Sequence, residues 1–186
     1  MKINKEEWLK VPNLLSYFRL VLIPIFSYTY VQAESVQDYF LATGILFLSG
    51  LTDALDGIIA RRFNQITVLG KVLDPIADKL TQLAVAGVLM IRWPIIRYLF
   101  ILFIVKEMSI FLISYFLLRK GLMMNGAKWF GKIGTIVFYG CMFILVSMPE
   151  MSSSNVLTVV IITSFFQVVA FLGYLSVLYR MFAGTK

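Results

Sequence analysis

Histidine is absent from this chain of 186 residues. That excludes a histidine-ligated metal and a histidine general base. A single cysteine, Cys141, lies in an apolar run, so no disulfide forms within the chain. Such a residue reads as a small buried hydrophobe. Charge is scarce as well: 15% of residues are charged and 60% are hydrophobic. A soluble domain carries about 25% charged and about 45–50% apolar residues. The mean hydropathy of +0.85 completes the signature of an integral membrane protein. A net charge of +7 is present, but its lysines and arginines are scattered between hydrophobic stretches. That distribution suits anionic lipid headgroups rather than nucleic acid. No cleavable leader is predicted, because the apolar stretch after MKINKEEWLK is of spanning length and lacks a small-residue cleavage site.

What is there is long apolar segments. A spanning helix needs about 20 mostly apolar residues, and the sequence predicts six, at 13–32, 36–62, 70–91, 94–118, 127–148 and 155–182. A short amphipathic surface helix with Trp8 is expected at 6–10. The predicted fold is therefore an all-α membrane domain covering 1–186, six transmembrane helices preceded by a surface helix. Pro12, Pro94 and Pro149 fall at or near helix ends, where a missing amide costs least. Pro24 and Pro75 fall inside spans, where they predict local kinks. Basic residues concentrate at the N-terminus, around 61–71, around 119–132 and at the C-terminus, whereas Glu34, Asp38 and Glu150 lie in the alternate loops. By the positive-inside rule, both termini and the 61–71 turn face the cytoplasm of a cell membrane.

Four aspartates break the apolar pattern in the segment DALDGIIARRFNQITVLGKVLDPIAD. Asp53 and Asp56 are three apart, and Asp74 and Asp78 four apart, so each pair shares a helix face. The short connection makes the two helices antiparallel neighbours, and both pairs then converge at one end. An ionised carboxylate at membrane depth costs roughly 2.5–3.5 kcal/mol on insertion scales, so a neutralising partner is required. Carboxylate-only ligation suits Mg²⁺, Mn²⁺ or Ca²⁺ and argues against zinc. Four carboxylates have the capacity for two metals, the arrangement that clamps phosphoryl oxygens in displacement chemistry. Gly57 and Ala60 continue the Asp53/Asp56 face and leave room for a ligand. Gly70 opens the next helix, and Arg61 offers a planar fork to a phosphate. The implied substrate is a pyrophosphate carrying a flat group.

Three plainer readings compete. The acids pair with Arg61, Arg62 or Lys79 in a structural network, or they mark an ion or solute pathway. The third is an idle membrane interaction protein. The transport reading is weakened by the clustering of all four at one edge. Gly and Ala in spans also commonly serve helix packing.

At these residues the chain resembles the CDP-alcohol phosphatidyltransferase family. Its signature is D-x-x-D-G-x-x-A-R, then seven or eight residues, then G-x-x-x-D-x-x-x-D. Asp53, Asp56, Gly57, Ala60, Arg61, Gly70, Asp74 and Asp78 match it position by position. The likeness extends to VPNLLSYFRLVLIP, to LDPIADK and to the six-span layout. The resemblance implies transfer of a substituted phosphate from a CDP-linked donor to an alcohol, with release of CMP. It also implies a homodimer with two divalent cations, Mg²⁺ or Mn²⁺. Carried over, Asp53, Asp56 and Asp74 are metal ligands. Asp78 is the general base and a further ligand. Asp53, Gly57, Ala60, Arg61 and Gly70 bind the CDP donor.

The motif segment is most similar to members that join CDP-diacylglycerol to glycerol 3-phosphate, and next to those that make cardiolipin. The second half departs from the glycerophosphate members. Lys106-Glu107 stands where they commonly carry Arg-Glu, Ser114 where a further arginine is expected, and Gly134 where a second basic residue follows Gly131-Lys132. For an acceptor phosphate the expected cations are Lys132, Arg119, Lys128, Lys106 and Arg180, with Lys106 the deepest.

Overall fold

The structure, a computed structural model, describes residues 5–120 and 129–183. A 3-10 helix, Lys5–Leu9, stands where the surface helix is expected. Six α-helices follow: α1 (Val11–Val31), α2 (Val36–Arg62), α3 (Gly70–Arg92), α4 (Ile96–Arg119), α5 (Trp129–Ser147) and α6 (Ser153–Ala183). Among the described residues there is no strand. Five helices are long and apolar enough to cross a membrane. The sixth, α3, has the length but carries Lys71, Asp74, Asp78, Lys79 and Arg92, so its charges set it apart from the six equal spans expected.

Local chemistry fixes the ends of α2. Ser35 caps its start: its hydroxyl accepts from Asp38 N, and the Asp38 carboxylate accepts from Ser35 N at 2.8 Å. This reciprocal box satisfies two otherwise orphaned amides. At the other end Asn64 takes φ 53°, and Gln65 N donates to Ala60 O at 2.9 Å. A left-handed Asn closing a six-to-one bond is a Schellman stop. The helix therefore ends within two turns of Asp56. Pro24 and Pro75 are carried inside continuous helices.

The chain forms two compact units. In the first, α1 packs against both α2 and α3. Its buried stripe is Pro12, Asn13, Ser16, Arg19, Leu22, Phe26 and Tyr30, a three-to-four residue spacing that keeps one helix face inward. The stripe is polar at its start and apolar at its end. The stripe of α2 runs the opposite way, from Tyr39, Ala42 and Leu46 to Ser49, Thr52 and Asp56. The short turn between them folds α2 back on α1, so like meets like. Tyr30 and Tyr39 meet edge to face at 5.3 Å in the apolar half. At that end Arg92 of α3 donates to Tyr39 Oη at 2.6 Å and to Pro149 O at 2.8 Å. Small buried residues, Ala42, Thr43, Ala77, Thr81 and Ala86, permit the close helix approach usual in membranes.

In the second unit α4 packs on α6. Ile96, Leu99 and Phe103 of α4 are buried, as are Val156, Val160 and Ala170 of α6. Phe103 meets Phe138 of α5 at 5.6 Å. Large apolar side chains such as Phe40, Phe111, Phe165 and Leu172 face outward. On a soluble protein such a surface would be a liability, whereas in a bilayer it is the solvated one.

Candidate functional site

The polar ends of α1, α2 and α3 meet, and each motif aspartate has a defined partner there. Arg19 of α1 is 2% exposed at its side chain and reaches both acids of α2. Its Nη1 pairs with Asp53 and its Nη2 with Asp56. Asp56 is buried, whereas the Asp53 side chain is 50% exposed. On α3, Asp74 Oδ1 accepts from Ser16 Oγ at 2.6 Å. Both oxygens of Asp78 lie 3.2 Å from Gln82 Nε2, and Lys79 Nζ is 3.8 Å from Asp78 Oδ2.

A second network joins the chain's start to the loop between the two halves of the motif. Glu7 Oε2 accepts from Val68 N at 3.0 Å and Leu69 N at 3.2 Å. These amides sit just ahead of α3, where helix starts leave donors unpaired and favour negative charge. Asn13 Nδ2 donates to Glu7 O at 2.6 Å, and Asn13 Oδ1 accepts from Thr67 Oγ1 at 3.0 Å. Thr67 Oγ1 in turn accepts from Gly70 N at 2.8 Å. A Cβ at Gly70 would lie 2.8 Å from Asn13 Oδ1 and 2.9 Å from Thr67 Oγ1. Close packing alone therefore accounts for this glycine. Gly57 differs, for a Cβ there would meet only Arg61 Nη2, at 3.4 Å. Arg61 is exposed and folds back along its own helix, its Nε donating to Gly57 O at 2.9 Å. Ala60 is half-buried on the same helix.

Of the expected acceptor cations, Lys106 is buried and held inside the second unit. Its Nζ donates to Gln167 Oε1 at 2.6 Å, lies 2.8 Å from Glu107 Oε1 and sits 5.2 Å from the Phe103 ring. Gln167 Nε2 reaches Gly134 O at 3.3 Å. Arg119, in the last turn of α4, stacks over Tyr115 at 5.1 Å. Lys132 in the first turn of α5 and Arg180 in the last turn of α6 are exposed. Lys128 lies outside the described residues.

Sequence reasoning named the acids and overlooked Arg19, Ser16, Asn13, Thr67, Gln82 and Glu7. Arg19 carried a usable signal, since a lone charge inside an apolar span needs a partner within the protein.

The donor set suits a hard divalent cation. It is oxygen-only, and Asp53 and Asp56 already converge on one positive charge, the Arg19 guanidinium. Among the described residues no three acidic side chains form a ready-made metal shell.

A multi-pass helical membrane protein with paired aspartates at one helix-bundle end is the class that fold and site define. A family model for CDP-alcohol phosphatidyltransferase matches residues 9–172, and the chain belongs to that family. It is 33% identical over 136 residues to a cardiolipin synthase (CMP-forming) of Streptomyces coelicolor, covering 72% of this chain and 63% of that protein. It is 44% identical over 75 residues to the CDP-diacylglycerol–glycerol-3-phosphate 3-phosphatidyltransferase of Haemophilus influenzae, covering 40% of each. With the cardiolipin synthase (CMP-forming) of Homo sapiens the identity is 45% over 71 residues, covering 38% of this chain and 22% of that protein. The chain thus spans 22% to 63% of the length of these relatives.

Proposed function

We propose that residues 1–186 act as one catalytic membrane domain that transfers the phosphatidyl group of CDP-diacylglycerol to glycerol 3-phosphate, giving phosphatidylglycerophosphate and CMP. The observation that carries this reading is the full D-x-x-D-G-x-x-A-R…G-x-x-x-D-x-x-x-D spacing on α2 and α3, with its acids gathered at one end of the first unit. The glycerol 3-phosphate acceptor is supported by the Haemophilus relative, whose match falls at 44% identity. The site faces the cytoplasm, the side from which water-soluble glycerol 3-phosphate would reach a donor anchored in the bilayer, and the protein works as a homodimer among anionic lipids.

In the reaction, a hydroxyl oxygen of the acceptor bonds to the phosphorus bearing the diacylglycerol. The bond from that phosphorus to the bridging oxygen of CMP breaks, and CMP leaves with the electron pair. Asp78 takes the hydroxyl proton on a carboxylate oxygen, oriented by Gln82 at 3.2 Å. Asp53, Asp56 and Asp74 would hold two divalent cations, Mg²⁺ or Mn²⁺, with Asp78 completing the set. Bound there, such cations neutralise phosphoryl oxygens and polarise the phosphorus. Gly57 leaves the α2 surface open for the donor, and we assign Ala60 and Gly70 to the same donor site. Arg61 is placed to leave its contact with Gly57 O and take a diphosphate oxygen. For the acceptor phosphate we assign Lys132 first, with Arg119, Lys128, Arg180 and Lys106 as further candidates.

A second reading, cardiolipin synthesis from phosphatidylglycerol, rests on one observation: the longest of these matches, over 136 residues, is to a cardiolipin synthase. Competition separates the two. Purified protein is given CDP-diacylglycerol with equal glycerol 3-phosphate and phosphatidylglycerol, and the lipid products are weighed by mass spectrometry. Phosphatidylglycerophosphate as the main product is expected. Cardiolipin as the main product would transfer the assignment to the second reading.

A further inference from the structure

The Arg19 guanidinium occupies the position on which the two α2 carboxylates converge. Its side chain is 2% exposed, and it contacts Asp53 through Nη1 and Asp56 through Nη2. Its Nε has no hydrogen-bond partner among the described residues. A buried arginine that binds only two carboxylates is a counter-charge: without it Asp53 and Asp56, one helix turn apart, would repel each other in a low-dielectric site. The same two carboxylates are the proposed metal ligands, and one oxygen of each already faces Arg19. A carboxylate oxygen at hydrogen-bond distance from a guanidinium is shielded from a second cation on that side.

We infer that Arg19 is the built-in counter-ion of Asp53 and Asp56 and competes with the divalent metal for them, so that it sets metal affinity. The inference rests on the metal reading of the previous subsection. It makes Arg19 a positioning residue: it holds both acids aimed when no metal is present, and it weakens metal binding by the free energy of the contacts it must give up. Asp53 is the entry point, since it is the exposed member of the pair, whereas Asp56 is buried behind it.

The test is Mn²⁺ binding to the purified full chain in micelles, followed by the electron paramagnetic resonance of free Mn²⁺, without substrate. Competition predicts that Arg19→Gln binds Mn²⁺ more tightly than the native chain, by between about fivefold and 150-fold, the usual span of coupled equilibria. Arg19→Lys, which keeps the charge, should remain near the native affinity. Thermal unfolding gives an independent readout: Arg19→Gln should melt lower than the native chain in EDTA and recover more of its melting temperature on adding Mn²⁺. Should Arg19→Gln not fold, ¹⁵N spectra of arginine side chains in the native chain decide. The slowly rotating, ion-paired Arg19 signal should shift on adding Mg²⁺. Unchanged or weaker Mn²⁺ binding in Arg19→Gln, or an Arg19 signal indifferent to Mg²⁺ at saturation, would overturn the inference while leaving the metal reading intact. No Mn²⁺ binding by the native chain would remove both.

Discussion

Replacing Gly70 by alanine separates two roles for this residue, packing and donor contact. The structure puts the new methyl 2.8 Å from Asn13 Oδ1 and 2.9 Å from Thr67 Oγ1. Both atoms are buried and bonded to each other at 3.0 Å. Forcing a methyl into such a space costs typically 1–3 kcal/mol. Disturbing the Asn13–Thr67 bond adds about 1 kcal/mol. Alanine is a better helix former than glycine by roughly 0.5–1 kcal/mol, which offsets part of this. The net expectation is a loss of about 1–3 kcal/mol, read from denaturant unfolding in mixed micelles. Asn13→Ala removes one of the two crowding atoms, so the second substitution should cost less in that background, with a coupling of at least about 0.5 kcal/mol. A Gly70→Ala protein of native stability that has lost CDP-diacylglycerol affinity would refute the packing argument and leave donor contact as the reason for the glycine.

Three other outcomes are expected. Glu7→Ala strips the acceptor from Val68 N and Leu69 N and should cost about 1–3 kcal/mol, whereas Glu7→Gln, which keeps an oxygen, should lose only about 0.3–1 kcal/mol of charge–dipole energy; native stability in Glu7→Ala would contradict the capping role. Asp78→Asn should retain CDP-diacylglycerol binding and lose turnover, because it keeps the shape and removes the proton acceptor; turnover at the native rate would remove the base assignment. Lys132→Ala should raise KM for glycerol 3-phosphate far more than for CDP-diacylglycerol, and equal changes in steady-state kinetics would exclude Lys132 from the acceptor site.

Helices were legible where one signal dominated. The 36–62 span, read from its apolar length, coincides with α2, whose start the structure fixes at Ser35 and Asp38 and whose stop at Asn64. The 13–32 and 94–118 spans differ from α1 and α4 by one or two residues at each end, the ordinary ambiguity of helix termini. The acids were legible because charge in an apolar segment needs a reason. Their partners were not. Ser16 and Asp74 are 58 residues apart, and Glu7 and Val68 are 61 apart, and no local periodicity encodes such pairings. Arg19 was visible as a lone charge, but only the antiparallel return of α2 shows that it faces Asp53 and Asp56. Lys106 was read as a deep cation for the acceptor; its contact with Glu107 lies within α4, whereas its engagement by Gln167 depends on α6.

The central claim is metal-assisted transfer from CDP-diacylglycerol by the motif aspartates. The most direct measurement is CMP release from CDP-diacylglycerol and glycerol 3-phosphate by the purified chain, with Mn²⁺ or Mg²⁺ and again in excess EDTA, beside Asp53→Ala and Asp74→Ala. The account predicts CMP release with metal, none in EDTA, restoration when metal is returned, and none in either variant. Undiminished release in EDTA, or by Asp53→Ala, would contradict it.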